Sequence, residues 1–181
     1  MTVVFIGPHG VGKSTTGRRV AALLGVPFQP ELGEVLAREL RPSSGTAADP
    51  QETFDEYLFA AELYRDEISL GARIVETWHP GNLAYAERRS PEVVRRMLAS
   101  IQRSCRRGPN VVVPLYATSH TLSRRQHEPG DLAFFESVGR AASSWASRLG
   151  LRVLTPVSTD DQPERTALRV AALVRPYLEP E

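Results

Sequence analysis

The chain has 181 residues, a formal net charge of +1, 41% hydrophobic and 24% charged residues, and one cysteine. That length fits a single domain, 1–181, with a sizeable core. The near-zero charge excludes a strong field aimed at nucleic acid or an acidic membrane, and the lone Cys105 excludes a disulfide within the chain, which fits a reducing cytoplasm.

In chain order, Thr2–Ile6 reads as a short buried strand, too short for a secretory signal. Lys13–Leu24 reads as a helix stopped by Gly25, Val26–Gln29 as a brief second strand, and Glu31–Leu40 as a helix stopped by Pro42. The stretch Arg41–Pro50, rich in Pro, Ser, Gly and Ala, reads as a loop. A longer helix, Gln51–Leu70, follows, and Arg73–Thr77 is a third strand. Pro80–Arg88 and Pro91–Arg106 are predicted helices, each with Pro near its start. Asn110–Tyr116 is a fourth strand, which Pro114 predicts to lie near an edge or to end early. Asp131–Leu149 is a helix, Leu151–Thr155 a fifth strand, and Asp161–Tyr177 a last helix capped by Asp160 or Asp161. Strands alternating with helices predict a parallel sheet covered on both faces, with ligands at the carboxyl ends of the strands. No stretch approaches the length of a membrane span.

Residues 7–14, GPHGVGKS, match G-x4-G-K-[ST], the Walker A or P-loop pattern, with a strand directly before and a helix directly after. The pattern predicts that Gly7, Pro8, His9, Gly10, Val11, Gly12, Lys13, Ser14 and Thr15 cradle the phosphates of a nucleoside triphosphate. In it Lys13 bridges phosphates and Ser14 holds Mg²⁺. The 22 basic residues are 21 arginines and this one lysine. An Arg bias explains the missing lysines, but not why the remaining one falls where a compact ammonium on a flexible stem is needed. Because Lys13 is already used, the Asn-Lys-x-Asp guanine-reading motif of Ras-type GTPases is excluded. His79, His120 and His127 lack metal-ligand spacing. Arg95, Arg96, Arg103, Arg106 and Arg107 read as a solvated helix face, and Cys105 as a packing residue.

With these motifs the chain resembles the P-loop small-molecule kinases, the group of deoxynucleoside kinases, thymidylate kinases and ribosylnicotinamide-kinase-like proteins. The resemblance implies an α/β three-layer sandwich, a five-stranded parallel sheet ordered 2-3-1-4-5 and a helical lid, here about 117–131. It further implies a cytoplasmic transferase that moves the γ-phosphoryl group of ATP, with Mg²⁺, to a small acceptor. That acceptor is first a nucleoside or nucleotide, then a sugar, an amino-acid derivative or another metabolite. By the same resemblance, Glu31 in PFQPELGE takes the acceptor's proton or contacts the acceptor, with Glu34 and Glu76 as alternative bases. Glu76 ends the third strand beside the metal, and Arg124 and Arg125 in LYATSHTLSRRQHEPGD close over the transferring group. Tyr57, Tyr64 and Arg65 fall where the family lines its acceptor pocket, although core packing explains the stripe Phe54, Tyr57, Leu58, Ala61 and Tyr64 better. TPVSTDDQPE resembles the loop bordering adenine. The family's arginine after the strand-three acid is missing; Thr77-Trp78-His79 stands there. That leaves room for a rival, a regulatory nucleotide-binding ATPase or switch without a small acceptor. The resemblance predicts no nucleic-acid or membrane partner and leaves room for a homodimer.

Overall fold

The computed structural model describes residues 1–39, 50–125 and 132–178, with the backbone alone at 38, 39 and 50. Its centre is β1 (Thr2–Ile6), buried at every position. β1 pairs in parallel with β3 (Arg73–Glu76) on one side and β4 (Asn110–Tyr116) on the other. β2 (Phe28–Gln29) adds to β3, and β5 (Arg152–Val153) to β4, giving the order β2-β3-β1-β4-β5. This is the expected P-loop order.

Alternation along β1 divides the interior in two. Val4 and Ile6 face one layer, α3 (Pro50–Ile68), α4 (Trp78–Arg89), α5 (Pro91–Cys105) and α7 (Leu132–Arg148). Val3 and Phe5 face the other, α1 (Lys13–Leu24) and α8 (Pro163–Leu178). The short helices α2 (Leu32–Glu39) and α6 (Ser119–Arg125) follow β2 and β4. The expected loop at 41–49 and the lid residues 126–131 lie outside the described residues. Among the described residues no helix is long and apolar enough to cross a membrane.

Three local expectations need correction. The last strand is two short pieces: Pro156 interrupts it, and β6 (Val157–Ser158) pairs with β4 beyond β5. Pro114 does not mark an edge, because β4 is flanked on both sides. It sits opposite that interruption: β5 pairs with Val111 and Val112, and β6 with Leu115 and Tyr116. A residue without an N–H therefore falls where the ladder on that side is broken. Finally, the expected stripe on α3 is not its core face. Asp55, Leu58, Phe59 and Glu62 are buried, whereas Tyr57 and Tyr64 are 52% and 64% exposed. Two acids on the buried side hid the true face from hydrophobic periodicity.

Candidate active site

The turn from β1 into α1 is shaped by glycine where it must be. Gly7 has φ 147, and a Cβ there would lie 2.4 Å from the Leu115 carbonyl oxygen, so neither the backbone nor the space admits a side chain. Gly12, with φ 95, caps α1. Lys13 is buried and its Nζ donates to the Gly7 and Pro8 carbonyls, each at 3.3 Å. The loop is braced from outside: the Val11 carbonyl accepts from Thr159 Oγ1 at 2.6 Å and from Arg125 Nη1 at 3.2 Å.

A cavity of about 430 Å³ opens over this loop. The P-loop contributes His9, Gly10, Gly12, Lys13, Ser14 and Thr15; the β2–α2 junction Glu31 and Glu34; the end of β3 Glu76; the end of α6 Arg125. Thr159, Asp161, Pro163 and Thr166 close the far wall. Elements distant in sequence meet because the carboxyl ends of β1, β2 and β3 share one edge of the sheet.

Within the cavity, Ser14 Oγ donates to Glu76 Oε1 at 2.9 Å. Burial raises the Glu76 pKa above the usual carboxylate range; Lys13 and Ser14 oppose this, and Glu31 and Glu34 add to it. Glu31 is held by Thr77, whose Oγ1 donates to Oε2 at 2.7 Å. Ser14 and Glu76 form an oxygen-only pair, the donor chemistry Mg²⁺ prefers when it takes one or two protein oxygens and completes its shell with water and phosphate. Among the described residues no group of three or more His, Cys, Asp or Glu is arranged to hold a metal by itself.

Arg125 and Arg124 part company. Arg125 lines the cavity and donates to Thr159 Oγ1 at 3.1 Å and the Thr159 carbonyl at 2.6 Å, whereas Arg124 is not among the lining residues. Tyr57, Tyr64 and Arg65 do not line it either. Arg65 pairs instead with the buried Glu62, at 2.7 and 2.8 Å, and donates to the Pro30 carbonyl at 3.2 Å, one residue before Glu31. Pro8 belongs to the loop but lines a neighbouring cleft.

Two features escaped sequence reasoning. Asp160 caps no helix in the hydrogen bonds it makes. It accepts from the Thr118 N–H and hydroxyl, both at 3.0 Å, and from Ser158 Oγ at 2.8 Å, tying the start of the α6 segment to β6. The Thr121 hydroxyl, together with these bonds from Thr118 and Ser158, holds its carboxyl below the usual range. Thr77 was visible only as a missing arginine, and nothing in its neighbours signals the contact to Glu31.

No protein-family profile matches the chain, and no curated protein matches it in sequence. Among solved structures it is similar to the NadR protein in complex with NR, with TM-score 0.69 and 15% identity, covering 99% of this chain and 52% of that one. The chain thus spans about half the length of NadR. It is also similar to the YorR protein from Bacillus subtilis in complex with phosphorylated GDP, with TM-score 0.60 and 18% identity over 100% of both chains. Shikimate kinase from Aquifex aeolicus vf5 follows, with TM-score 0.51 and 16% identity over 98% of each. At such identities the likeness is one of architecture: the chain has the fold of the P-loop kinases.

Proposed function

We propose that the chain is a small-molecule kinase that transfers the γ-phosphoryl group of ATP to a hydroxyl of a nucleoside or nucleotide. The observation that carries this reading is the meeting of Lys13, Ser14 and Glu76 with Glu31, Glu34 and Arg125 around one cavity. A cradle for phosphates, a second acid beside it and an arginine lining the same cavity are the parts phosphoryl transfer requires, since its catalysis is positioning and charge stabilisation.

In this reading the amides of residues 7–15 and Lys13 Nζ bind the triphosphate. Lys13 then exchanges the loop carbonyls it now contacts for phosphate oxygens. Ser14 and Glu76 hold Mg²⁺, which when bound neutralises charge on the donor phosphates. Glu31 accepts the proton of the acceptor hydroxyl as the new O–P bond forms. The bond from the γ-phosphorus to the β,γ-bridging oxygen breaks, and ADP leaves with its electron pair. Arg125 stabilises the charge spread over the transferring group, and Arg124 joins it when the lid closes. The fit to a reducing cytoplasm and a small-molecule partner belongs to the same proposal, as does a homodimer.

A pool of nucleosides, nucleotides and unrelated metabolites, incubated with ATP and Mg²⁺, tests it. One member gains a phosphoryl group by mass only when the protein is present. Slow ATP hydrolysis that no metabolite accelerates would sink the kinase reading and favour a regulatory ATPase.

A further inference from the structure

The turn that ends β3 is built unlike any other described part of the chain. Thr77 has φ 67 and ψ −63, and Trp78 has φ 47. Among the described residues these are the only non-glycine positions with positive φ. A β-branched residue rarely adopts such a backbone unless its surroundings impose it.

The surroundings do. Thr77 N–H donates to the Phe5 carbonyl at 2.9 Å, and Gly81 N–H donates to the Thr77 carbonyl at 3.1 Å. Just beyond, Trp78 Nε1 and His79 Nε2 lie 2.9 and 2.8 Å from the two oxygens of Asp66, which pins the start of α4. The side chain is fixed as well. A Cβ on Gly81 would come within 2.3 Å of Thr77 Cγ2, so the methyl occupies space that only glycine leaves. Glycine inside a helix is unfavourable relative to alanine, and room for this methyl is a reason for its presence.

Thr77 is the N-cap of α4, where a threonine hydroxyl ordinarily accepts from the first helical N–H groups. No such bond is made. With its methyl against Gly81, the hydroxyl turns to the cavity and donates to Glu31 Oε2. Thr77 is itself 4% exposed, so water competes little for that bond.

We propose that Thr77 is a positioning residue: the strained turn aims its hydroxyl at one oxygen of Glu31 and so presents the other, Oε1, to the acceptor. This rests on the reading of Glu31 as the acceptor-side acid. The turn's strain is the device, because relaxing φ at Thr77 would swing the hydroxyl away from Glu31 while leaving the phosphate cradle in place.

Thr77→Val keeps the shape and removes the donor; Thr77→Ser keeps the donor and removes the methyl. The valine variant is expected to lose about 10²-fold in kcat, the scale of a misplaced catalytic group, with KM for ATP and the thermal midpoint near wild type. The serine variant recovers most of that loss. Gly81→Ala, which crowds the Thr77 methyl, lowers kcat, and adding Thr77→Ser restores it because the methyl is gone. A valine variant with wild-type kcat overturns the proposal, as does a Gly81→Ala/Thr77→Ser protein no better than Gly81→Ala alone. Amide hydrogen exchange over residues 31–36 reads the anchor without any substrate. Faster exchange in the valine variant than in the serine variant supports the anchor even if no acceptor is ever phosphorylated, an outcome that would remove the kinase reading alone. Equal exchange in the two overturns it.

Discussion

β3 runs between two polar clusters, and they are finished to different degrees. Near its start, the Asp66 carboxylate receives Arg73 Nη2 at 2.6 Å, Trp78 Nε1 at 2.9 Å, His79 Nε2 at 2.8 Å and Ser104 Oγ at 2.6 Å. At its end, Glu76 receives Ser14 Oγ alone among the described residues. Burial acts to raise both pKa values, yet the donors carry Asp66 down to about 2 while Glu76 stays above the ordinary range. A satisfied buried acid is a structural fastening. A buried acid with lone pairs left over, facing a cavity, is fitted to receive something from outside. Substitutions at the two ends should therefore separate activity from stability.

The largest expected effect is at the cavity. Lys13→Ala should lower kcat/KM by about 10³-fold or more, the upper range for losing one charge-stabilising donor, without lowering the thermal midpoint. Lys13→Arg should be nearly as damaging, because a planar guanidinium does not fit a cradle shaped for an ammonium. Near-normal turnover in the arginine variant would remove Lys13 from the phosphate site.

Glu31→Gln should cost about 10²–10⁴-fold in transfer, the range for general-base help, with Mg²⁺ dependence close to normal. Glu76→Gln should instead raise the Mg²⁺ concentration needed and slow background ATP hydrolysis as well as transfer. Titrating Mg²⁺ for both side by side is the check. Equal shifts would contradict the division of labour between the two acids.

A smaller loss is expected at the lid. Arg125→Ala should lower kcat by about 10²-fold, and Arg124→Ala by less, because Arg125 already lines the cavity and Arg124 joins it only on closure. If KM for ATP alone rises, Arg125 is a ground-state contact.

The other end of β3 should answer in stability. Asp66→Asn keeps an acceptor but loses the charge that faces Arg73 and His79, and should lower unfolding stability by about 2 kcal/mol at neutral pH. The folded pKa of Asp66 lies below its unfolded value of 3.8. Its contribution is therefore fully present above that value and is lost as pH falls toward about 2. Denaturant titrations of the wild type should show this decline between about pH 4 and 2, and those of the asparagine variant should decline less steeply over the same range. Identical acid profiles would mean that the four donors do not stabilise the charge.

The contrast also explains what could be read in advance. The P-loop and the alternation of strands and helices follow from glycine spacing and apolar runs, which are local signals; the sheet order was implied only by the resemblance to the P-loop small-molecule kinases. Glu76 was legible because it ends a buried strand whose direction the pattern fixes, whereas Glu31 and Arg125 were legible only through the resemblance to the P-loop small-molecule kinases. Asp66 was not, since its donors come from β3, α4 and α5 and only the tertiary fold assembles them. The α3 face was misread for the same reason: Asp55 and Glu62 are buried against Arg89 and Arg65, so the hydrophobic period breaks there. Pro114 misled because its rule concerns an unbroken ladder, and the ladder is broken opposite it.

Lys13 has one more consequence, for chemical labelling. Apart from the amino terminus, the chain carries a single primary amine, and that amine is only 7% exposed at the floor of the cavity. An amine-selective acylating reagent thus has one side-chain amine to modify in this chain. The fraction of molecules gaining one acyl group on the peptide containing Lys13 is then a direct count of open cradles. Any nucleotide that protects that peptide can be ranked by occupancy, with no need to know the acceptor or to observe a reaction.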